Sequence, residues 1–439
     1  MSLLIGLSER DITPGVGDAM AGSLTPRPAR GTDDPLFVRA LAVECGKTRF
    51  IHAVLDLCVL SSGWGDTACR RIAEQTGVPE SNILWTCTHT HSGPDCGALD
   101  DRADEAWAGT ANPVWLQALE DRFVECATAA WAARESAVVR RMRAYCNEVG
   151  HNRLLRHKSG RQRNTWLLNH PDDADMQCVG SAAPIDPEIG ILAIENAAGL
   201  LRGVVWTYAL HTNAHFGPMY SADYPASAQA ALRKEFGADL FCMFLPGCCG
   251  DINPTRGGAA GAHDIGAILA GHMLSQLKNR SARPAEAPVA GFRKTAIDVP
   301  MHDFSASIED RLADSRWSES CKPFFRETNA HIRASGATTR RVELAAWHLG
   351  GVSFATYPAE VFVEWGLELK RRGPVPWTVP VELTNGWCGY LPTKAAWESG
   401  GYEAIPSATS QIQPAGTQAM NRELLKNLKS LYRKQTVIG

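Results

Sequence analysis

The sequence lacks the features that mark several classes of protein. It has no basic block, and its formal net charge is −3 over 439 residues, which argues against a nucleic-acid-binding surface. No run of about 18 apolar residues occurs, so we predict no membrane-spanning helix. The first residues, Met1-Ser-Leu-Leu-Ile-Gly6, carry no basic segment and do not resemble a signal peptide. We therefore expect a cytoplasmic protein whose partner is neither a nucleic acid nor a membrane.

Paired cysteine motifs are also missing. The 13 cysteines are an odd number, form no C-x-x-C pair, and in many cases lie in apolar runs typical of strands. In a chain of this length, the pattern predicts buried free thiols in a reducing compartment rather than a disulfide framework. The adjacent Cys248 and Cys249 allow a redox role, but we favour packing, because a free cysteine usually behaves as a small hydrophobic residue.

No internal repeat, low-complexity tract or convincing linker divides the chain. The glycine-rich segment 257–261 lacks the Lys-Ser/Thr pair of a phosphate-binding loop, which argues against nucleotide binding. Hydrophobic residues make up 45% and charged residues 21%, as is usual for a soluble globular protein. We predict one compact α/β domain over residues 1–439, with mixed β-sheets flanked by helices in several layers.

Apolar periodicity predicts the order of the elements. Residues 1–35 resemble glycine- and proline-rich loops, residues 151–180 a long polar surface loop, and residues 305–335 a polar helical insertion. Strands are predicted at about 36–45, 49–57, 83–85, 138–147, 189–195, 202–210, 240–245, 341–347 and 351–357. Helices are predicted at about 65–77, 113–135, 225–236, 263–278 and 417–433.

His89 and His91 stand where a predicted strand ends. They lie in Thr88-His-Thr-His-Ser-Gly-Pro94, which follows the apolar run 83–85 and opens into a Gly-Pro loop. On an extended chain, side chains at i and i+2 point the same way, so one imidazole can bind a metal while the other faces the same cavity. An isolated H-x-H also has a plainer interpretation, in which one histidine caps the loop and the other is solvated.

The same arrangement recurs later in the chain. His211 ends an apolar run, Glu360 follows another, and Tyr390 stands in the turn-rich stretch 384–393. Asp56 also ends an apolar run, where both functional and loop-capping carboxylates are common. His215 lies four residues after His211, but without an intervening glutamate we interpret it as a pocket or loop residue. Each residue alone is weak evidence, because polar side chains at strand ends are usually hydrogen bonded within the structure.

Together these motifs resemble the catalytic domain of the neutral/alkaline, non-lysosomal ceramidases and their bacterial relatives. The family's T-H-T-H-S-G-P run is intact, and its other motifs follow in the same order over residues 1 to about 410. In this sequence they read Asn152-Arg153, Ala209-Leu-His211, Ser221-Ala-Asp223, Gly250-Asp-Ile-Asn-Pro254, Pro358-Ala-Glu360, and Tyr390-Leu-Pro-Thr393 followed by Tyr402-Glu403.

The resemblance implies a zinc site with His89, His211, Glu360 and Tyr390 as ligands. Nitrogen and oxygen ligands suit catalytic zinc, which keeps one position for water and lowers the pKa of that water to about 7.

The resemblance also implies that three side chains surround the reacting amide. His91 would act as proton donor or general base, Arg153 as substrate anchor, and Tyr402 as hydrogen-bond donor to the developing oxyanion. Trp387 allows stacking on the substrate and packing equally well.

The sequence departs from the family pattern in ways that bear on the substrate. Asn253 replaces the serine of the family's G-D-x-S-P loop, which excludes a serine nucleophile there, although Asp251 can still orient the ligands. The C-terminal β-sandwich domain and the signal peptide of the family are not found in the sequence. We therefore expect a substrate that is smaller and more soluble than ceramide, and the basic residues of the loop 151–180 could attract an anionic group on it.

Three functions stay open at this point. The leading interpretation is a zinc-dependent hydrolase that cleaves the amide bond of a small soluble N-acyl substrate through a metal-activated water. The same chemistry serves an esterase or lactonase acting on a small carboxylic or sugar-derived substrate. A non-catalytic binding protein is the third alternative, against which stands the retention of all four implied ligands.

Overall fold

Two β-sheets form the centre of the protein. A computed structural model describes residues 2–23, 27–97, 111–165, 178–279, 290–315, 318–374 and 377–436. The strands of the larger sheet are β1 Leu3–Asp11, β2 Phe37–Cys45, β3 Thr48–Leu55, β4 Ile83–Cys87, β5 Glu135–Tyr145, β6 Glu188–Asn196, β7 Leu201–Tyr208 and β8 Phe241–Pro246. Their spatial order is β8-β7-β6-β5-β1-β2-β3-β4. The two outer pairs, β3 with β4 and β7 with β8, are parallel, and the other neighbours are antiparallel.

The smaller sheet has four strands, β9 Ala290–Pro300, β10 Thr339–Leu349, β11 Val352–Thr356 and β12 Thr378–Val381, in that spatial order. Only β11 and β12 are parallel. The turn between β10 and β11 consists of Gly350 and Gly351, whose φ angles are 60° and 84°. A two-residue hairpin turn with both φ values positive favours glycine, and the strands predicted at about 341–347 and 351–357 form this hairpin.

Nine α-helices lie within the described residues. They are α1 Gly65–Thr76, α2 Pro113–Ala132, α3 Tyr224–Phe236, α4 Gly258–Lys278, α5 Glu309–Ser315, α6 Lys322–Ala334, α7 Val363–Arg372, α8 Lys394–Ser399 and α9 Pro414–Thr436. Capping explains the C-terminus of α1 and the N-terminus of α2. Gly77 adopts a left-handed conformation directly after α1, and the side chain of Asn112 accepts hydrogen bonds from Val114 N and Trp115 N at the start of α2. No helix of the described residues is both long enough and apolar enough to cross a membrane.

Shorter elements complete the described part of the chain. Two 3₁₀ turns lie at Glu80–Asn82 and Tyr402–Ala404. The short strands are Ala19–Met20, Arg27–Pro28, Gly31–Thr32, Gly150–Asn152, Leu154–His157, Gln162–Asn164, Cys178–Ser181, Met219–Tyr220, Ile252–Pro254, Glu360–Val361 and Tyr390–Leu391.

Apolar packing arranges these elements in four layers. The facing sides of the two sheets share one core, in which Trp347 stacks on Phe354 with 3.8 Å between ring centroids. The outer face of the larger sheet is covered by α1 and α2 at one end and by α3 and α4 at the other. Helices α7 and α9 cover the outer face of the smaller sheet. The predicted class, α/β with mixed sheets flanked by helices, is confirmed.

One ββαβ arrangement occurs three times. Two antiparallel strands are followed by a helix and then by a strand parallel to the second one. The three units are β2-β3-α1-β4, β6-β7-α3-β8 and β10-β11-α7-β12. Because parallel strands end at the same edge of a sheet, each unit brings the loops after its second and third strands together.

Two loop predictions are wrong. Residues 1–35 contain β1, which pairs with β2 along its whole length. The second half of β1 is polar and lacks the apolar pattern of a strand, because Glu9 forms ion pairs with Arg39 and Arg233. The segment 151–180 holds Leu154–His157, Gln162–Asn164 and Cys178–Ser181, which form a three-stranded sheet too short to show a period. The rest of that predicted loop, residues 166–177, lies outside the described residues.

The prediction of buried free thiols is confirmed for most of the cysteines. All 13 cysteines are free thiols, and all except Cys96 and Cys178 are buried. The apolar setting explains why most of them behave as packing residues.

The buried pair Asp56–Arg39 should be important for stability. Asp56 Oδ2 accepts hydrogen bonds from Arg39 Nη1 at 2.7 Å and from Phe37 N at 2.9 Å, and both charged side chains are buried. We expect Asp56→Asn to lower the free energy of unfolding by roughly 3–5 kcal/mol, because it leaves the Arg39 charge poorly compensated. Urea denaturation at neutral pH measures this. As a control, Arg122→Ala removes a half-exposed pair with Glu125 and should cost less than about 1 kcal/mol; equal losses would contradict the prediction.

Candidate active site

Three loops bring two histidines and a glutamate together. Nε2 of His89 lies 3.1 Å from Nε2 of His211 and 3.1 Å from Oε2 of Glu360. The same Glu360 oxygen lies 3.4 Å from Nε2 of His211, and all three side chains are buried. The residues follow β4, β7 and β11, respectively. Each of the three ββαβ units therefore contributes one donor to this cluster.

Backbone carbonyls fix the orientation of each histidine ring. Nδ1 of His89 lies 3.0 Å from the carbonyl oxygen of Cys58, and Nδ1 of His211 lies 2.7 Å from that of Cys249. A carbonyl can only accept, so Nδ1 carries the proton and Nε2 presents a lone pair to the cluster. This is the arrangement that metal-binding histidines usually show.

The resulting cluster needs a cation. Oε1 of Glu360 accepts from Trp387 Nε1 at 2.9 Å, whereas the buried Oε2 has no hydrogen-bond partner among the described residues. Donors placed tetrahedrally about 2.0–2.1 Å from a metal ion are separated from one another by about 3.3–3.4 Å. The observed separations of 3.1–3.4 Å match that spacing. His89, His211 and Glu360 could therefore hold a metal ion.

The ionisation of these groups supports the same conclusion. Burial disfavours a charged Glu360, but the adjacent His89 and His211 outweigh it and hold the pKa of Glu360 well below its usual range. Burial lowers the pKa of His211 to about 4. Burial also acts to lower the pKa of His89, but the Glu360 carboxylate raises it more, so the pKa of His89 lies above its ordinary value. An ionised carboxylate facing two imidazoles attracts positive charge, whether a proton or a metal ion.

The backbone at His89 differs from the sequence prediction. Its φ is 68°, so the chain is not extended between His89 and His91 as we predicted. A left-handed conformation at a residue other than glycine costs on the order of 1–3 kcal/mol and concentrates at functional sites. The two side chains still converge, with 3.3 Å between their Nε2 atoms.

His91 lies at the more open side of the cluster. It is only partly buried, and its Nδ1 lies 3.0 Å from the carbonyl oxygen of Gly22. Burial lowers the pKa of His91 well below its ordinary value, and the neighbouring His89 and His211 lower it further. Gly22 has a φ of 80°, and a Cβ there would lie 2.6 Å from the His91 side chain, so glycine is required at this contact. Arg27 donates to the carbonyl oxygen of His91 from the same side.

Tyr390 and Tyr402 stand beside the cluster. Tyr390 pairs with Glu360 across two short parallel strands. Its hydroxyl accepts from the Tyr402 hydroxyl at 3.0 Å. Burial raises the pKa of both phenols, and for Tyr390 the Glu360 carboxylate adds to that effect.

Arg153 is held firmly behind Tyr402. Its Nη2 donates to the Tyr402 hydroxyl at 2.7 Å, and its Nε donates to Oε1 of Glu403 at 3.0 Å. Nη1 lies 3.3 Å from Oδ1 of Asn253, and Asn164 Nδ2 donates to the same Glu403 oxygen at 2.9 Å. The guanidinium is thus oriented on several sides before any substrate arrives.

Two buried carboxylates support the loops that carry the donors. Oε2 of Glu382 accepts from Cys249 N at 3.1 Å and from Val361 N at 3.0 Å. Cys249 is the residue whose carbonyl oxygen orients His211, and Val361 follows Glu360, so the Glu382 side chain connects the surroundings of both donors. Burial raises the pKa of Glu382 to about 7. Asp251 accepts from Val363 N at 2.7 Å, at the start of α7.

The other residues considered from the sequence have structural contacts. His215 Nε2 lies 2.7 Å from Asp33 and its Nδ1 lies 3.2 Å from Ser92 Oγ, so it is a loop residue outside the donor cluster. Trp387 binds Glu360 instead of stacking in an open pocket. Asp56 belongs to the buried pair with Arg39.

Sequence reasoning missed Glu382 and the carbonyl acceptors. Glu382 follows β12 directly, which is the same signal of a polar residue after a buried strand that indicated the other donors. The carbonyl groups of Gly22, Cys58 and Cys249 carry no sequence signal, because every residue has one.

Comparison with known proteins places the fold. No family model and no curated protein matches the chain. Among solved structures, the neutral ceramidase from Pseudomonas aeruginosa matches with a TM-score of 0.75 at 16% identity, covering 99% of this chain and 75% of that one. A ceramidase complexed with C2 matches with a TM-score of 0.74 at 16% identity, covering 99% of this chain and 76% of that one. The resemblance drawn from the sequence motifs is thus confirmed in three dimensions, and the protein has the fold of the neutral ceramidases.

Proposed function

We propose that the protein is a zinc-dependent hydrolase that cleaves an amide bond in a small N-acyl substrate. The observation that carries the proposal is the buried Oε2 of Glu360, which has no hydrogen-bond partner among the described residues and faces Nε2 of His89 and Nε2 of His211. The donor set is two nitrogens and one carboxylate oxygen, which suits a catalytic zinc ion better than a structural one. The reaction class is inferred from the ceramidases that share the fold.

His89, His211 and Glu360 would hold the ion, with Tyr390 as a fourth ligand. Tyr390 is the proposed ligand by virtue of its place on the strand beside Glu360 and its electrostatic contact with that carboxylate. When bound, zinc supplies a water of lowered pKa and a Lewis acid for the substrate carbonyl. Glu382 binds the backbone at Cys249 and at Val361, and it thereby holds His211 and Glu360 in position to bind the ion.

His91 is the proposed proton carrier. Its Nδ1 is fixed on the Gly22 carbonyl, which leaves Nε2 to accept a proton at the open side of the cluster. Because burial keeps its pKa below the ordinary value, His91 is neutral at physiological pH and can accept a proton. After accepting a proton, it can deliver that proton to the leaving amine.

Tyr402 and Arg153 are the proposed groups for the developing oxyanion. The Tyr402 hydroxyl is a donor whose pKa is kept above its ordinary value mainly by burial, so it stays protonated. Arg153 donates to that hydroxyl at 2.7 Å and is itself tied to Glu403. We propose that Arg153 anchors the substrate chiefly by holding Tyr402 in place.

The surroundings of the site favour a polar substrate. The strand Leu154–His157 begins directly after Arg153, and the hairpin that it forms with Gln162–Asn164 carries the exposed side chains of Arg156 and Lys158. Arg161 of the same hairpin donates to the carbonyl oxygen of Ser399, which keeps the hairpin close to the Tyr402 segment. Exposed cations near the reacting groups favour an anionic or polar acyl compound over a long alkyl chain.

The first prediction from the proposed function concerns the metal. Chelator treatment should abolish hydrolysis, and zinc should restore it, because no other group of the cluster supplies equivalent charge. Glu360→Gln should lose one metal equivalent relative to the unmodified protein, as measured by elemental analysis. Glu382→Gln should weaken metal binding by about 10–100-fold through misplaced ligand loops, whereas Glu125→Gln at an exposed position should not. A metal-free protein with full activity would rule out the proposal.

The second prediction separates Tyr402 from the ligands. Tyr402→Phe should lower kcat by about 10²–10³-fold, as expected for removing one oxyanion donor, while metal content stays unchanged. Asn253→Ala is the matched control, because Asn253 touches the same Arg153 through one hydrogen bond. Its loss should cost about tenfold or less in kcat. A covalent acyl intermediate trapped on the loop of Asn253 would contradict the proposed water attack.

The third prediction concerns the substrate. Short N-acyl compounds with a carboxylate should give a higher kcat/KM than long-chain ceramide, because the hairpin that follows Arg153 carries exposed basic side chains. Matched esters and lactones should be assayed beside the amides, since their hydrolysis tests the esterase or lactonase alternative. A preference of more than about tenfold for the long-chain lipid, some 1.4 kcal/mol in transition-state binding, would refute the small-substrate proposal.

A further inference from the structure

A second group of metal-binding side chains lies away from the proposed active site. Ligand atoms of Cys146, Glu148 and His272 all lie within 4.8 Å of one another. Nε2 of His272 is 3.7 Å from Oε1 of Glu148. The three residues come from two parts of the fold, with Cys146 and Glu148 just after β5 and His272 on α4. None of them belongs to the His89 cluster.

The donor chemistry points to a particular class of ion. A thiolate, an imidazole and a carboxylate together suit zinc and related transition metals, whereas calcium and magnesium prefer oxygen ligands alone. A tetrahedral zinc site separates nitrogen and oxygen ligands by about 3.3 Å. The observed 3.7 Å between His272 and Glu148 therefore needs to shrink by only a few tenths of an ångström.

The surroundings leave the side chains of Glu148 and His272 available to a metal. Within the described part of the chain, the Glu148 carboxylate and the His272 ring have no hydrogen bond or ion pair other than their contact with each other. Cys146 is buried and its backbone is fixed, because Tyr208 donates to its carbonyl oxygen at 2.8 Å. The side chains of His272 and Glu148 are 35% and 60% exposed, which leaves one side open for a water as fourth ligand.

We propose that Cys146, Glu148 and His272 form a second site for a zinc-type divalent cation. Binding converts the Cys146 thiol to a thiolate and releases its proton to solvent, so that the sulfur–metal bond replaces the sulfur–hydrogen bond. The ion links α4 to the segment that leads through Gly150–Asn152 to Arg153. That segment pairs with Ile252–Pro254, so the site braces the backbone on which Arg153 and Asn253 stand.

Cobalt titration of the chelator-treated full-length protein tests the site. Cobalt bound to a thiolate gives a charge-transfer band in the near ultraviolet that cobalt bound only to nitrogen and oxygen lacks. The unmodified protein should bind two equivalents and show the band. Cys146→Ser and His272→Ala should each lose the band and one equivalent. His263→Ala, at an exposed position on the same helix, should change neither.

The outcomes separate this site from the proposed active site. Glu360→Gln should lose the other equivalent and keep the band, while His272→Ala should keep the equivalent bound by the His89 cluster. Absence of the band in the unmodified protein would overturn the proposal. So would its persistence in both Cys146→Ser and His272→Ala, since the sulfur would then be another one, such as Cys58 near His89. His272 is partly exposed on a helix, so its alanine variant decides the matter even if Cys146→Ser does not fold.

Discussion

The ionised Glu360, buried against two imidazole lone pairs, is the constraint on which the site depends. Moving a carboxylate out of water is costly unless positive charge and hydrogen bonds compensate it. Within the described residues, one of its oxygens accepts a hydrogen bond, from Trp387, and the other has no hydrogen-bond partner. The other faces His89 and His211, whose protons are held on the far side by carbonyl groups. The chain therefore forms a site for a cation. The rigid packing around the site offsets the free-energy cost of burying the Glu360 carboxylate.

That rigidity comes from the repeated ββαβ unit. In each unit, two parallel strands end at the same edge of a sheet. One donor of the cluster follows a strand of each unit. Buried carboxylates occupy related places: Asp56 follows β3, Asp251 lies in the loop after β8, and Glu382 follows β12. Asp56 binds Arg39, whereas Asp251 and Glu382 accept backbone N–H groups around the Glu360 loop. The units thus supply donors and also the acceptors that fix the donor loops.

Sequence patterns predicted the features that depend on burial and failed where polar contacts override periodicity. Strands such as β7 and β8 are apolar on both faces, and the positions after strands indicated His89, His211 and Glu360. The strand β1 was missed because Glu9 and its arginine partners fill half of it. The left-handed φ of His89 could not be predicted, since it is imposed by hydrogen bonds from both sides of the loop: His89 N donates to the carbonyl oxygen of Leu57, and His91 N donates to that of Thr212. Which of the many buried polar residues support the site depends on three-dimensional contacts such as those of Glu382.

The same contacts make few demands on side-chain identity around the site. The acceptors for Nδ1 of His89, His91 and His211 are backbone carbonyls, which any residue can provide. What must be kept is the path of the backbone, and that is set by the two sheets and their helices. Side-chain identity is demanded only where an atom enters the cluster or where a close approach excludes a larger residue, as Gly22 does beside His91.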